Sequence, residues 1–420
     1  MSTIRTPPHL AQPKLTTATV SDGASMAAAI DRGFYESTPA ELAVVMSEVA
    51  ELDRFFGFQV DGHWISTFGS FARTMCVPGG AALPVSAVTA VTVSASYRRR
   101  GLLTAMMQHE LTRLHDGGTE SLAVLWASEA GIYGRFGYAA AAQRLSIEGE
   151  SSRMRFLPSV NLSDGSVNEV SQDEFLEQAT EVRNRIWANR PGHLNRDRQW
   201  WLWMIVDPEQ SRGGASERCY LVHYSNSGEP DGFAYFRVKE ESAATGPCGV
   251  VQVHEIDAET PNAYAALWNY VFGIDLTRTF TRSCAPVDDI LRHLVTDTRA
   301  IESRLVDNLY VRIIDIPAAL QARSYLSDFD ACINITDQQL PANDGVYRIV
   351  TERDRAVVQR TTAKPDLSMS ILELAAIYLG SITLSSLVAA GRVTEYRLGA
   401  AAPVSAAFGV ERQPMCPDSF

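Results

Sequence analysis

One junction constrains this chain more than any other. Across Val88-Thr89-Ala90-Val91-Thr92-Val93-Ser94-Ala95-Ser96-Tyr97-Arg98-Arg99-Arg100-Gly101-Leu102-Leu103 an apolar, alternating run gives way through three arginines and a glycine to helical spacing. Leu103, Met107, Leu111 and Leu114 recur at i, i+4, i+8 and i+11, and Asp116-Gly117-Gly118 supplies a helix stop. A strand that enters a helix through such a turn places free backbone N–H groups, the positive end of the helix dipole and guanidinium charge at one spot. That combination suits a pyrophosphate. Gly101 lets the backbone approach the phosphates, Arg98, Arg99 and Arg100 add charge-assisted bonds, and the polar edge of Val91 to Val93 can hold an extended amide-containing arm. The alternative is an exposed basic helix start, but cations there oppose the dipole unless an anion is bound. No G-x-x-x-x-G-K-[ST] loop is present, and Gly131, Gly134 and Gly137 are misplaced for a dinucleotide fingerprint.

The remaining pattern predicts an α/β (α+β) chain of three units, and 420 residues favour about three domains. In the first, residues 1–155, a helical stretch at Glu41 to Arg54 precedes short runs at Gly57 to Val60, His63 to Thr67 and Phe71 to Met75, an antiparallel meander. The Val88 to Val93 strand, the helix from Leu102 and a buried strand at Leu122 to Trp126 follow. Residues 156–300 repeat the order weakly, with strands at Cys219 to Tyr224, Phe233 to Lys239 and Val250 to Ile256 and a helix at Tyr264 to Phe272. Residues 301–420 open with a strand at Leu309 to Ile316 ended by Pro317 and close with helices near 371 to 391.

Composition narrows the function. A net charge of −12 argues against nucleic-acid partners and is compatible with cationic acceptors. Met1 to Leu15 holds prolines at 7, 8 and 13 and no signal-like apolar core. Ile371 to Gly391 is interrupted by Glu373, Gly380 and several Ser/Thr, which fits two packed helices better than a membrane span, so the expected location is the cytoplasm. Six scattered cysteines and eight scattered histidines, of which only His109 and His115 approach along a helix, support no metal site.

The turn matches the Q/R-x-x-G-x-G/A acetyl-CoA motif of GNAT enzymes, with Arg98 first, Gly101 fourth and Leu103 where Gly or Ala is commoner. Ala87 to Gly101, together with Ala127-Ser128-Glu129-Ala130-Gly131-Ile132-Tyr133-Gly134-Arg135-Phe136-Gly137-Tyr138, resembles the Eis (enhanced intracellular survival) family of acetyltransferases. Asp231 to Val238, Leu294 to Arg299, Ile316 to Leu320 and the terminal Phe420 extend the likeness over nearly the whole chain. The resemblance implies a GNAT domain, a GNAT-like domain and a sterol-carrier-like domain, assembled as a homohexamer. It implies acetyl-CoA as co-substrate and primary amines as acceptors, on aminoglycoside-like molecules, polyamines or lysine side chains. It places cofactor contacts on Val91, Thr92, Val93, Arg99, Arg100, Gly101, Leu102, Leu103, Thr104, Ser128 and Glu129, the general acid on Tyr133, and the general base on the carboxylate of Phe420.

The chemistry of those two groups is consistent. A tyrosine hydroxyl, pKa about 10, is protonated at neutral pH and can donate to a departing thiolate, whose conjugate acid has a pKa of about 8.5. A terminal carboxylate, pKa about 3.5 in water, becomes a better base on burial. Tyr133 and Tyr138 also fit a purely structural turn. Ala90 stands where relatives carry a bulky aromatic, and Ser419 replaces an acidic residue whose charge Asp418 compensates. In the second unit Ile256-Asp257-Ala258-Glu259-Thr260-Pro261 sets carboxylates where the first has arginines, which predicts a domain that binds no cofactor. The rival readings are a transferase of a longer acyl group and a non-catalytic protein that binds an apolar ligand in its third domain.

Overall fold

The computed structural model describes residues 12–352 and 355–420. The signal-peptide reading of Met1 to Leu15 therefore falls largely outside the described residues.

Three sheets organise the chain. The first runs in the order Lys14–Thr17, Phe56–Val60, Ser66–Cys76, Ala82–Val93, Leu122–Leu125, Tyr310–Ile313, Ala139–Ala140, with His63–Trp64 paired to Phe56–Val60. Its pairs are antiparallel except for Ala82–Val93 against Leu122–Leu125. Alternation along these strands serves two cores. Val88, Ala123 and Leu125 pack with Met106, Met107, Leu111 and Leu114 of the helix Leu102–Gly117. Ala87, Leu122 and Val124 belong to the opposite face, covered by the helix Gly23–Phe34 and by third-domain residues such as Ile371 and Leu374.

The expected meander is present, with one difference. The run His63–Thr67 is split: His63–Trp64 is a short strand of its own, while Ser66 and Thr67 join Phe71–Met75 in the single strand Ser66–Cys76. Gly69 interrupted the pattern, and its position is forced by packing, since a Cβ there would stand 2.4 Å from the Phe55 ring. The helix at Leu102–Gly117 forms as expected but is rotated slightly: Leu102 and Met106 are buried and Leu103 only half-buried. Glu110 is also buried, where Ser70, Ser86 and Arg113 donate to its carboxylate.

The second sheet has the order Ile301–Asp307, Gln143–Glu150, Thr277–Ala285, Gly249–Ala258, Pro230–Lys239, Cys219–Tyr224, Ser166–Glu169. It repeats the first in having one parallel pair, Gly249–Ala258 with Thr277–Ala285, joined by a helix, Pro261–Phe272. The third domain sets Arg355–Thr361, Gly345–Glu352, Asp330–Thr336, Leu367–Ser370 and Thr394–Glu395 in one sheet. Ile371–Ile377 and Leu384–Ala389 are two short helices, and no described helix is long and apolar enough to cross a membrane.

Strand pairing crosses the expected unit boundaries. Gln143–Glu150, expected in the first unit, lies in the second sheet between Ile301–Asp307 and Thr277–Ala285. Tyr310–Ile313, expected to open the third unit, completes the first sheet. That strand stops at Ile313, before Pro317. The proline instead occupies the first turn of the helix Ile316–Ala322, where its missing N–H costs nothing and Asp315 caps the Ala318 N–H at 2.8 Å.

A buried ion pair fastens this inserted strand to the third domain. Arg312 donates to both oxygens of Asp337 at 2.8 and 2.7 Å, and that carboxylate also accepts from Asn343 and the backbone of Gln339 and Leu340. Asp337→Ala strands a fully buried guanidinium and is expected to cost about 3–5 kcal/mol in urea unfolding. A loss under about 1 kcal/mol, the range of exposed pairs, would show that the pair does not hold the two domains.

Candidate active site

The site begins where two parallel strands part. Ala82–Val93 pairs with Leu122–Leu125 only from Val85/Leu122 to Ala87/Val124, although the first strand continues to Val93. A bulge turns it away. Ala90 adopts a left-handed backbone, φ 52°, and the register against Ser66–Cys76 shifts between Thr67 and Gly69. Thr67 fixes this conformation: its hydroxyl donates to the Ala90 carbonyl at 2.7 Å and lies 2.7 Å from the Thr92 hydroxyl. Beyond the bulge, Val91 to Val93 retain a ladder on one side through Ser66↔Val93 and Thr67↔Thr92. Their other edge has no strand partner among the described residues.

Arg98 to Gly101 form the next wall. Arg99 (φ 60°) and Gly101 (φ 86°) both take left-handed backbones, which curls the chain before Leu102. The three arginines divide their work. Arg98 donates to the Val93 carbonyl at 3.2 Å, and Arg100 donates to the Ser96 carbonyl at 2.7 Å while covering the Tyr97 ring. Arg99 is exposed, with no partner for its guanidinium among the described residues. No side chain caps the helix start, and its first turn, Leu102 to Thr104, holds no acidic residue. Here Gly101 is required by conformation as well as by access, since a Cβ at this φ is strained.

Ser128 and Glu129 lie exposed beyond the end of the Leu122–Leu125 strand, and the short helix Ala130–Tyr133 follows. Tyr133 is only 6% exposed, with its ring edge-on to Tyr138. Burial raises its pKa, a hydrogen bond with Ser128 lowers it and Glu129 raises it, so the net shift is upward. The hydroxyl therefore keeps its proton at neutral pH. Gly137 ends the turn at φ 85°, and a Cβ there would sit 2.9 Å from Ile371 and 3.0 Å from Arg312, so this turn is pressed against the third domain. Trp126 is half-buried against the core shared by the first and third domains, under the guanidinium of Arg144.

The chain end is docked. Met415 and Cys416 are buried, and Phe420 is half-buried against that same core. Asp418, expected to compensate for Ser419 by charge, carries that charge inside the protein. It is wholly buried, with Arg196 donating to it at 2.6 Å. Burial raises its pKa, but Arg196, Arg183 and Arg73 outweigh burial and hold the carboxyl below its usual range. Ala90, which stands where relatives carry a bulky aromatic, is itself buried in the bulge. The strand-to-helix junction of the second domain is closed to an anion by its own chain: Thr260 caps the Ala263 N–H at 3.1 Å, Pro261 has none, and Glu259 pairs with Arg185 at 2.5 Å. His109 packs edge-on against Phe56 and His115 faces Asp116. A cavity of about 810 Å³ lies between the helices Ala40–Val49 and Arg198–Ile205, but none of the residues above line it.

A parted parallel pair beside an uncapped helix start defines a class, and comparison with known proteins agrees. Family models described as acetyltransferase (GNAT) domains match residues 14–141 and 192–313, and a sterol carrier protein domain matches 316–417. The protein is therefore a GNAT-type N-acetyltransferase, a class that uses acetyl-CoA. An uncharacterized N-acetyltransferase of Streptomyces coelicolor is 39% identical over 387 residues, 91% of this chain and 93% of that one. N-acetyltransferase Eis of Mycobacterium bovis is 32% identical over 326 residues, 76% of each chain. The crystal structure of Eis1 from Mycobacterium abscessus superposes with a TM-score of 0.83 at 29% identity, covering 97% of this chain and 100% of that one. The chain belongs to the Eis family of GNAT N-acetyltransferases.

Sequence reasoning located the arginine–glycine turn but missed Thr67 and the backbone of Ala90. Gly33 carried a signal, being a glycine inside a helix: a Cβ there would stand 2.4 Å from Thr92, so the Gly23–Phe34 helix approaches the bulged strand closely. Thr67→Val keeps the shape and removes the buried donor to Ala90. It should lower unfolding free energy by about 1–3 kcal/mol and weaken CoA binding as the bulge relaxes. Unchanged CoA affinity by calorimetry would show that the bulge does not form the binding edge.

Proposed function

We propose that this enzyme transfers an acetyl group from acetyl-CoA to a primary amine, with Tyr133 as general acid and the Phe420 carboxylate as general base. The observation that carries the reading is the uncapped, carboxylate-free start of the helix at Leu102, beside the exposed Arg99 and the unpaired edge of Val91 to Val93. In this reading Arg98 to Thr104 hold the pyrophosphate, with Arg98 and Arg100 keeping the loop in shape. Val91 to Val93 hold the amide-containing arm, and Ser128 and Glu129 flank its far side. Bound there, acetyl-CoA supplies a thioester carbonyl open to attack by a neutral amine.

The chain's own groups then handle protons. Tyr133, kept protonated by burial and oriented by Ser128, gives its proton to the departing sulfur. The Phe420 carboxylate accepts the proton that the amine must lose, directly or through a water. Support for that role comes from the docked tail and the family resemblance. Asp418 is a poor substitute base, because it is wholly buried and the arginines around it hold its pKa low, which weakens its pull on a proton. The acidic chain, at −12, favours cationic acceptors such as aminoglycosides, polyamines or lysine side chains. The same reading takes the enzyme as a cytoplasmic homohexamer, which light scattering would test.

Two experiments test the assignments. Replacing Arg99 with Glu puts negative charge at the helix start, so CoA affinity should fall sharply while the exposed side chain leaves the melting temperature nearly unchanged. Unaltered affinity would remove the site. Tyr133→Phe keeps the ring and removes the proton, so turnover should drop by about 10² to 10⁴ with acetyl-CoA affinity retained. Near-normal turnover would make Tyr133 a packing residue.

A further inference from the structure

The last residues of the chain are stitched across the second domain. The Gln413 N–H donates to Asp288 at 3.0 Å, and its carbonyl accepts from Arg190, which also pairs with Asp288, both at 2.6 Å. The Met415 N–H reaches the Pro191 carbonyl at 3.0 Å. Gly192 makes that approach possible, because a Cβ on it would stand 2.9 Å from the Met415 carbonyl oxygen. Asn308 then clasps Cys416 twice, donating to its carbonyl at 2.9 Å and accepting from its N–H at 2.6 Å.

The final tie is ionic and dry. Asp418 Oδ1 accepts from Arg196 Nε at 2.6 Å, and Oδ2, without a hydrogen bond of its own, lies 3.6 Å from Arg183 Nη2. Glu255 lies 2.8 Å from Arg196 and 3.5 Å from Arg183, and Asp257 lies 4.0 Å from Arg183. Arg73, from the first sheet, lies close enough to Asp418 for their charges to interact, and its guanidinium rests on the Trp200 ring. A buried ion network contributes little net stability compared with an apolar replacement, but it admits few geometries. Past Asp418 only Ser419, exposed, and Phe420 remain, and two residues reach at most about 7 Å. Whatever fixes Asp418 therefore confines the terminal carboxylate.

We propose that Asp418, held between Arg196 and Arg183 of the second domain, is the positioning residue for the Phe420 carboxylate. The cofactor-free second domain thereby contributes to the reaction without touching a reactant. This inference rests on the assignment of that carboxylate as the base.

The test combines carboxypeptidase A, which releases an accessible C-terminal phenylalanine, with steady-state kinetics on the full-length enzyme. Asp418→Asn keeps the side-chain shape and removes the charge. The parent protein should resist release of Phe420, whereas Asp418→Asn should yield phenylalanine and lose turnover on the order of 10²-fold, with acetyl-CoA affinity unchanged. Removing Phe420 should slow the enzyme at least as much, and adding Asp418→Asn to that truncated chain should cost nothing more. Normal turnover in Asp418→Asn, when removal of Phe420 abolishes it, would overturn the positioning role and leave the base in place. Normal turnover after removal of Phe420 would overturn the base and the positioning role together. If Asp418→Asn does not fold, Arg183→Gln serves instead, since it preserves the Arg196 bond. It should release phenylalanine and slow turnover to a smaller degree, and the absence of both effects would overturn the proposal.

Discussion

The arrangement depends on one strand. Tyr310–Ile313 hydrogen-bonds to Leu122–Leu125 on one side and Ala139–Ala140 on the other, closing a sheet whose other strands all come far earlier in the chain. Without it, the buried Leu122–Leu125 would present an unpaired edge, with N–H and C=O groups lacking partners. The same strand carries Arg312 to Asp337 and so draws the third domain against the turn at Gly137. The reacting groups proposed for the enzyme sit on either side of this contact: Tyr133 just before Gly137, and Phe420 in the tail that follows the third domain, packed against the shared core.

Local pattern revealed what local physics determines. The arginine–glycine turn, the helix after it and the strands at Cys219–Tyr224 and Gly249–Ala258 were legible because alternation, helical spacing and turn chemistry are written within a few residues. The exchange of Gln143–Glu150 and Tyr310–Ile313 was not, because register between distant strands leaves no period in either one. The bulge escaped for a related reason: an alanine in a left-handed conformation looks like any other strand alanine, and Thr67, which holds it, lies 23 residues away. The partners of Asp418 were not legible, because its sequence neighbours say nothing of Arg196, 222 positions earlier. Charge near a chain end looks solvated until its counterion is located.

The two halves of the catalytic body show how one topology can be used twice with different results. Both pass from a parallel strand to a helix, yet Gly101 leaves the first helix start uncapped while Thr260 and Pro261 close the second. The difference amounts to which groups satisfy a few backbone N–H donors. In the first domain no side chain takes them up, and in the second the protein satisfies them itself and puts its arginines, 183 and 196, to another use.

Those arginines also bear on the order of synthesis. Asp418 is translated after every strand and helix it is tied to, and a chain still attached to the ribosome holds its newest segment inside the exit tunnel. Until Asp418 emerges, Arg183 and Arg196 lie in a buried interior with only Glu255 and Asp257 to face them. Charge balance in the middle of the molecule is thus achieved only once translation has passed this residue. A product cut short before it lacks one of the carboxylates that balance these buried arginines.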